Sequence, residues 1–169
     1  MAASLAENKK VLDLFHGDGY CWAGIEGVSV FGIDKKKTPD AVKDNSLKMI
    51  PALDLSRYGS IDCDVYGVPY KVLGALFLNG TLQPGTIVLF TFIFSVFGRT
   101  GDLTLSLGIT KDQLDACPSL FRPYAFIAFE QFLLDNGIKK YYNINVKNKN
   151  YGMFIIPGKR EVANGNDDL

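Results

Sequence analysis

Val11-Leu12-Asp13-Leu14-Phe15-His16-Gly17-Asp18-Gly19-Tyr20 decides the fold. Apolar residues around one acid read as a short buried strand over residues 11–15, closed by a Gly-x-Gly turn. Next, Tyr20 to Glu26 reads as a short helix ended by Gly27. A second strand, Val28-Ser29-Val30-Phe31-Gly32-Ile33, is tipped by Asp34. Strand, glycine turn, helix and acid-tipped strand form the adenosine-binding half of a nucleotide-type α/β fold. Gly17 and Gly19 permit positive φ and let the backbone approach a ligand that a Cβ would exclude. The helix start offers free N–H groups to a carboxylate or phosphate, and Asp34 is positioned to accept ribose hydroxyls. A dinucleotide fingerprint carries a third glycine at position 22, where this chain has Trp22. That disfavours a pyrophosphate but not a cofactor presenting only a carboxylate. Asp13, inside a buried strand, demands hydrogen-bonding partners, from a cofactor ammonium or from the turn's own amides.

The alternation continues along the chain. Residues 2–10 read as a short leading helix, Pro39 to about Asn45 as a helix, and Leu47-Lys48-Met49-Ile50 as a third strand stopped by Pro51. Residues 60–64 form a fourth strand, 70–78 an apolar helix, and 86–94 the most apolar strand, expected mid-sheet. Residues 95–117 read as an irregular connection and 118–135 as an amphipathic helix. The strands expected at 141–147 and 151–156 are joined by Asn148-Lys149-Asn150, which allows only an antiparallel hairpin. One domain over residues 1–160 with a disordered tail at 161–169 is expected.

Composition sets the class. The chain has 169 residues, 47% of them hydrophobic, enough for a real core. Lys plus Arg and Asp plus Glu both number 18, so no global charge draws it to nucleic acid or an anionic membrane. A local basic patch is open to Lys35, Lys36 and Lys37 together with Lys139, Lys140, Lys147, Lys149, Lys159 and Arg160. Cys21, Cys63 and Cys117 are odd in number and form no Cys-x-x-Cys, and so read as reduced core thiols. The N-terminus lacks a signal-peptide apolar region, and the longest apolar run falls short of the ~20 residues of a membrane helix. A soluble, cytoplasmic protein is expected.

Asp13-Leu14-Phe15-His16-Gly17-Asp18-Gly19 resembles the first motif of class I S-adenosylmethionine-dependent methyltransferases, and the terminal hairpin resembles theirs as well. The resemblance spans about residues 8–157 and implies a Rossmann-like α/β sandwich. Its seven-stranded sheet would have the order 3-2-1-4-5-7-6, with strand 7 antiparallel. A second stretch, Asp62-Cys63-Asp64-Val65-Tyr66-Gly67-Val68-Pro69-Tyr70, is similar to the Asp-Pro-Phe-Gly-x-Pro segment of tRNA guanine dimethyltransferases. More distantly it is similar to the Asp-Pro-Pro-Tyr motif of amino-group DNA methyltransferases. Asp64 matches the acid, Tyr66 the aromatic, and Gly67 and Pro69 the residues that follow, while Val65 replaces the proline.

The chemistry gives such residues a reason to sit together. An exocyclic base amine is a poor nucleophile because its lone pair is delocalised into the ring. A carboxylate and a backbone carbonyl accepting its N–H groups return density to nitrogen, and an aromatic ring fixes the base by stacking. The resemblance therefore implies methyl transfer from S-adenosylmethionine to a nitrogen of a nucleic-acid base (tRNA or DNA) or of a small amine. The expected acceptor-side residues are Asp64, Tyr66 and His16. The expected cofactor contacts are Asp13, Phe15, His16, Gly17, Asp18, Gly19, Asp34, Lys35, Asp54 and Asp62. Asp54 enters because related enzymes place an acid after the third strand. No metal site is expected. With no inserted recognition domain, specificity falls to the 95–117 connection, a second copy of the chain or a partner protein. The rival readings are a catalytically inactive cofactor-binding partner protein and an NAD-type oxidoreductase, the latter opposed by Trp22 and the hairpin.

Overall fold

The computed structural model describes residues 8–38, 40–93 and 108–158. Seven strands form one sheet in the order β3-β2-β1-β4-β5-β7-β6, with β1 Lys10–Asp13, β2 Ser29–Asp34, β3 Ala41–Lys43, β4 Ser60–Cys63, β5 Ile87–Ile93, β6 Tyr141–Val146 and β7 Lys149–Ile155. The first five are parallel, and β7 is antiparallel to both β5 and β6. The expected strand order and terminal hairpin are both present. Among the described residues the α-helices are α1 Ser46–Met49, α2 Tyr70–Leu78, α3 Lys111–Ala116 and α4 Pro118–Asp135.

Alternation along the strands divides the sheet into two faces. On one, Leu12, Ile61, Val88, Phe90, Phe92 and Phe154 pack beneath α2 (Val72, Leu73, Leu76) and α4 (Ala125, Phe129, Leu133) as one buried core. The other carries Val11, Asp13, Ser60, Asp62, Ile87 and Leu89, which stand side by side in register. Among the described residues no helix is long and apolar enough to cross a membrane.

Two expected elements differ. The helix expected over residues 20–26 is a run of turns. Gly24 and Gly27 sit at φ 77° and 73°, outside the right-handed helical region, and the turn bonds run from Trp22 N to Gly19 O and from Ile25 N to Trp22 O. Cys21 is therefore exposed instead of a core thiol, as is Cys117, while Cys63 is buried. The helix expected from Pro39 to Asn45 and the strand expected at 47–50 exchange character: Ala41–Lys43 is β3, and Ser46–Met49 is a helix capped by the Asn45 side chain, which accepts from Leu47 N. Ala41 pairs with Gly32, so the loop after β2 drops back only two residues, about 7 Å, before running up again. A crossover helix is not needed for so short a return. The expectations for residues 2–7, 94–107 and 159–169 lie outside the described residues.

Candidate functional site

The carboxyl ends of the parallel strands form one edge of the sheet, where open α/β folds place their ligands. β1 delivers Asp13 there, almost fully buried. Its Oδ1 accepts the Phe15 N–H at 3.1 Å and its Oδ2 meets His16 Nδ1 at 3.1 Å, so the turn itself partners this buried acid. Burial pushes the Asp13 carboxyl up, with the Phe15 amide and His16 opposing. The turn runs through Gly17 at φ 54° and Gly19 at φ 73°. The His16 ring lies between Gly19 and Gly32: a Cβ on Gly32 would stand 2.6 Å from the imidazole, and one on Gly19 2.8 Å from Nε2. Only glycine at both positions admits the ring.

Asp34, at the tip of β2, faces back to this turn. Its Oδ2 accepts the Gly17 N–H at 2.9 Å and its Oδ1 the Lys36 N–H at 2.7 Å. Partial burial raises its pKa, but the two amides, with the charges of Lys36 and His16, hold the carboxyl below its ordinary range. Each oxygen keeps a lone pair for a further donor. β3 ends beside it, and Asp44 N donates to Asp34 O at 2.9 Å.

On the β1–β4 side, Asp13 and Asp62 are register partners, so their carboxyls stand on the same face of adjacent strands. Trp22 Nε1 donates to Asp62 Oδ2 at 3.0 Å, which ties the turn segment across to β4. Burial first, then the charges of Asp13 and Asp64, push Asp62 up to about 7, against the pull of the Trp22 bond. Asp64 is exposed just past β4. The Cys21 thiol, next to Trp22, is pushed up by burial and by the charges of Asp62, Asp64 and Asp13.

Beyond Asp64 the backbone is tightly held. Val65 N donates to Cys63 O at 2.7 Å, Gly67 N to Val65 O at 3.0 Å, and Ile93 N to Gly67 O at 2.8 Å. Val65 is buried in the core, while Tyr66 beside it is 97% exposed. Packing and these bonds pin the backbone where the second motif has a proline ring.

Asp13, Phe15, His16, Gly17, Asp18, Gly19, Asp34, Lys35, Asp62, Asp64 and Tyr66 thus share the carboxyl edge. Asp54 does not join them. It precedes β4 at the opposite edge, where its Oδ1 accepts from Ser56 N and Oγ at 3.2 and 2.6 Å and caps a 3-10 turn, Leu55–Arg57. There it borders a cavity of about 450 Å³ with Leu53, Leu78 and Asn79. With β3 at 41–43, the acid that follows the third strand is Asp44. The Asn45-Ser46 capping pair marks the helix start, and hence the strand end, in the sequence. Trp22 is the other residue the sequence reading left without a role; only the fold brings it to Asp62.

No family model matches the sequence, and no curated protein matches it. Solved structures do match. An RNA methyltransferase from Salinibacter ruber, in complex with S-adenosyl-L-homocysteine, aligns at 13% identity and TM-score 0.51, covering 93% of this chain and 86% of that one. An rRNA methylase from Streptococcus thermophilus aligns at 12% identity and TM-score 0.50, covering 93% and 92%. A Bordetella parapertussis protein aligns at 11% identity and TM-score 0.56 over 93% of this chain, which spans only 64% of that protein's length. Identities this low speak for architecture alone: the sheet order of this chain, with its antiparallel β7, matches the class I methyltransferase fold.

Proposed function

We propose that the protein is an S-adenosylmethionine-dependent methyltransferase that methylates an amino nitrogen, either of a nucleic-acid base or of a small amine. The observation that carries the reading is the geometry around Asp34. This carboxylate is fixed by two backbone amides, held below its ordinary pKa, and set beside the Gly17–Gly19 turn at the carboxyl edge of the sheet. A ribose diol suits a carboxylate so placed. The residues present suit the cofactor: Asp34 would accept from the ribose hydroxyls, Asp44 from the adenine amine, and Asp13 and Asp62 from the ammonium, with the Gly17–Gly19 turn beside the carboxylate. When bound, the cofactor supplies a methyl group on a positively charged sulfur.

The remaining work falls to the chain's own groups. Asp64 accepts an N–H of the acceptor amine and keeps its lone pair directed at the methyl group. The Val65 carbonyl, already accepting from Gly67, has a second lone pair for the other N–H. Tyr66, exposed and adjacent, offers a ring for stacking on a planar acceptor. The proton that the methylated amine releases passes to Asp64, which already accepts that N–H. Good positioning of nucleophile and methyl group supplies roughly 7–11 kcal/mol of the barrier, so no stronger base is required. The RNA methyltransferase and rRNA methylase among the matching structures support RNA as the acceptor.

Calorimetry with S-adenosylmethionine, S-adenosylhomocysteine and NAD tests this reading. The first two are expected to bind and NAD is not, with Asp34→Ala weakening the first two at least ~10-fold, the weight of a charge-assisted hydrogen bond. Equal binding of NAD, or unchanged affinity in Asp34→Ala, overturns it. Transfer of a labelled methyl group to RNA, DNA and small amines then separates the acceptors, and cofactor binding with no transfer to any of them favours the inactive partner protein.

A further inference from the structure

We infer that the face of the β6–β7 hairpin away from α4 is a binding platform for single-stranded RNA. On this face Tyr142, Ile144 and Val146 of β6 stand beside Met153, Tyr151 and Lys149 of β7 in register. Tyr142 is 73% exposed and Ile144 69%, and Val146, Tyr151 and Ile155 are exposed too. So broad an apolar strip on an open sheet face marks an interaction surface.

Charge identifies the occupant. From Gly137 to Gly158 the chain carries Lys139, Lys140, Lys147 and Lys149 and no Asp or Glu. Lys149 Nζ lies 5.9 Å from the Tyr151 ring centroid, so cation and ring form one unit. At the other end of the strip, Lys139, Lys140, Tyr142, Ile155 and Pro157 border an open cavity of about 620 Å³. Exposed rings flanked by lysines, with no carboxylate among them, suit bases that stack and phosphates that need neutralising. A second copy of the chain is a poor occupant, because a two-fold contact would set four lysines against four lysines.

The platform also leads to the candidate site. β6 spans about 20 Å at the usual strand rise, room for a short run of nucleotides. It runs in the same sense as β5, so its Val146 end lies at the carboxyl edge. There Lys149 pairs with Ile93, whose N–H donates to Gly67 O in the loop that carries Asp64 and Tyr66. A strand laid along the hairpin therefore ends beside the residues assigned to the acceptor amine. The choice of RNA over DNA rests on the methyltransferase reading above; the platform itself does not.

The test is fluorescence anisotropy of the full chain with an end-labelled, mixed-sequence 12-mer RNA over a salt series, beside a DNA 12-mer of the same sequence. Tyr142→Ala and Tyr151→Ala are each expected to weaken RNA binding about 10-fold, while Tyr142→Phe, which keeps the ring, binds as the parent does. Lys139→Ala and Lys140→Ala should each lower the slope of log Kd against log salt by about 0.7. S-adenosylmethionine affinity, read by calorimetry, should stay at the parent value in all four alanine variants. RNA affinity indifferent to both tyrosines overturns the platform, and so does a sedimentation mass that falls in Tyr142→Ala, which would make the strip a self-association surface. DNA binding as tight as RNA overturns the choice of RNA. A parent protein that binds RNA but not S-adenosylmethionine sinks the methyltransferase reading and leaves the platform standing.

Discussion

Asp62 shows how much chemistry a single register position can carry. It stands next to Asp13 across β1 and β4, accepts the Trp22 indole N–H, and titrates at about 7 instead of near 3.8. A raised carboxyl pKa means that the folded state holds a proton the unfolded chain has released. Its contribution is therefore fully present below pH 3.8 and is lost as pH rises to about 7. Across that window each such proton tilts stability by about 1.4 kcal/mol per pH unit. Asp62→Asn keeps an acceptor for Trp22 and cannot ionise. Thermal melting from pH 5 to 8 should fall with pH in the parent and fall less steeply in this variant; parallel curves would show that Asp62 is already ionised throughout. Gly32 offers a second check at this scale. Gly32→Ala puts a methyl 2.6 Å from the His16 ring, which must leave its place and with it Asp13. The variant should lose roughly 1–3 kcal/mol of stability, the cost of overpacking, and a shift of the His16 resonances should accompany it. Unchanged melting and unchanged resonances would mean that the ring does not sit between the glycines.

The elements show where sequence and structure part. Strands β1, β2, β4, β5 and the hairpin were legible because each is an apolar run bounded by glycine, proline or charge; the short final loop dictated the antiparallel hairpin, while the order of the strands came from the resemblance to class I methyltransferases. β3 was not. Three residues, Ala41-Val42-Lys43, between Asp40 and Asp44 hold too few positions for any period to register, and an edge position asks little burial of them. The helix expected at 20–26 failed for a tertiary reason, since Trp22 is drawn to Asp62, 40 residues further along the chain. Within the candidate site the same division holds: Asp13, Gly17, Gly19 and Asp34 announce themselves by spacing, whereas Asp44 waits on β3 and Trp22 on the sheet. One connection does its work through a side chain with no helical or strand pattern. Asn79, at the end of α2, donates from Nδ2 to Ile50 O at 2.7 Å and to Leu53 O at 3.0 Å, binding the 3-10 turn Ile50–Ala52 to the helix. Asn79→Ala leaves both carbonyls without this donor and should cost about 1–3 kcal/mol, seen as a lower Tm. An unchanged Tm would show that solvent reaches both carbonyls.

At the scale of the whole molecule, one aromatic cluster joins the sheet, α2 and α4, and it does so under the site. Phe129 of α4 meets Phe90 and Phe92 of β5 at centroid separations of 5.0 and 5.2 Å and Tyr70 of α2 at 5.5 Å. The ring is fully buried, and Ala125 and Leu133, one turn to either side, are buried with it. Tyr70 opens α2 directly after the Asp64–Pro69 segment, so its seat in the cluster helps fix where that segment ends. Phe129→Ala removes the shared neighbour of three elements and should cost about 3–5 kcal/mol in urea unfolding, the usual loss for a large core aromatic. Tyr142→Ala, on the exposed face of β6, should cost within about 0.5 kcal/mol. Loosening under Tyr70 should also reach the Asp64–Gly67 loop, whose last hydrogen bond is held by Ile93 next to Phe92. Hydrogen exchange at the Ile93 and Gly67 amides should therefore quicken in Phe129→Leu, a milder variant that keeps the fold, while exchange at Leu14, whose amide bonds to Asp62 O across β1 and β4, keeps its parent rate. Exchange that quickens equally at all three amides would mean that the cluster sets only global stability and exerts no local hold on the site.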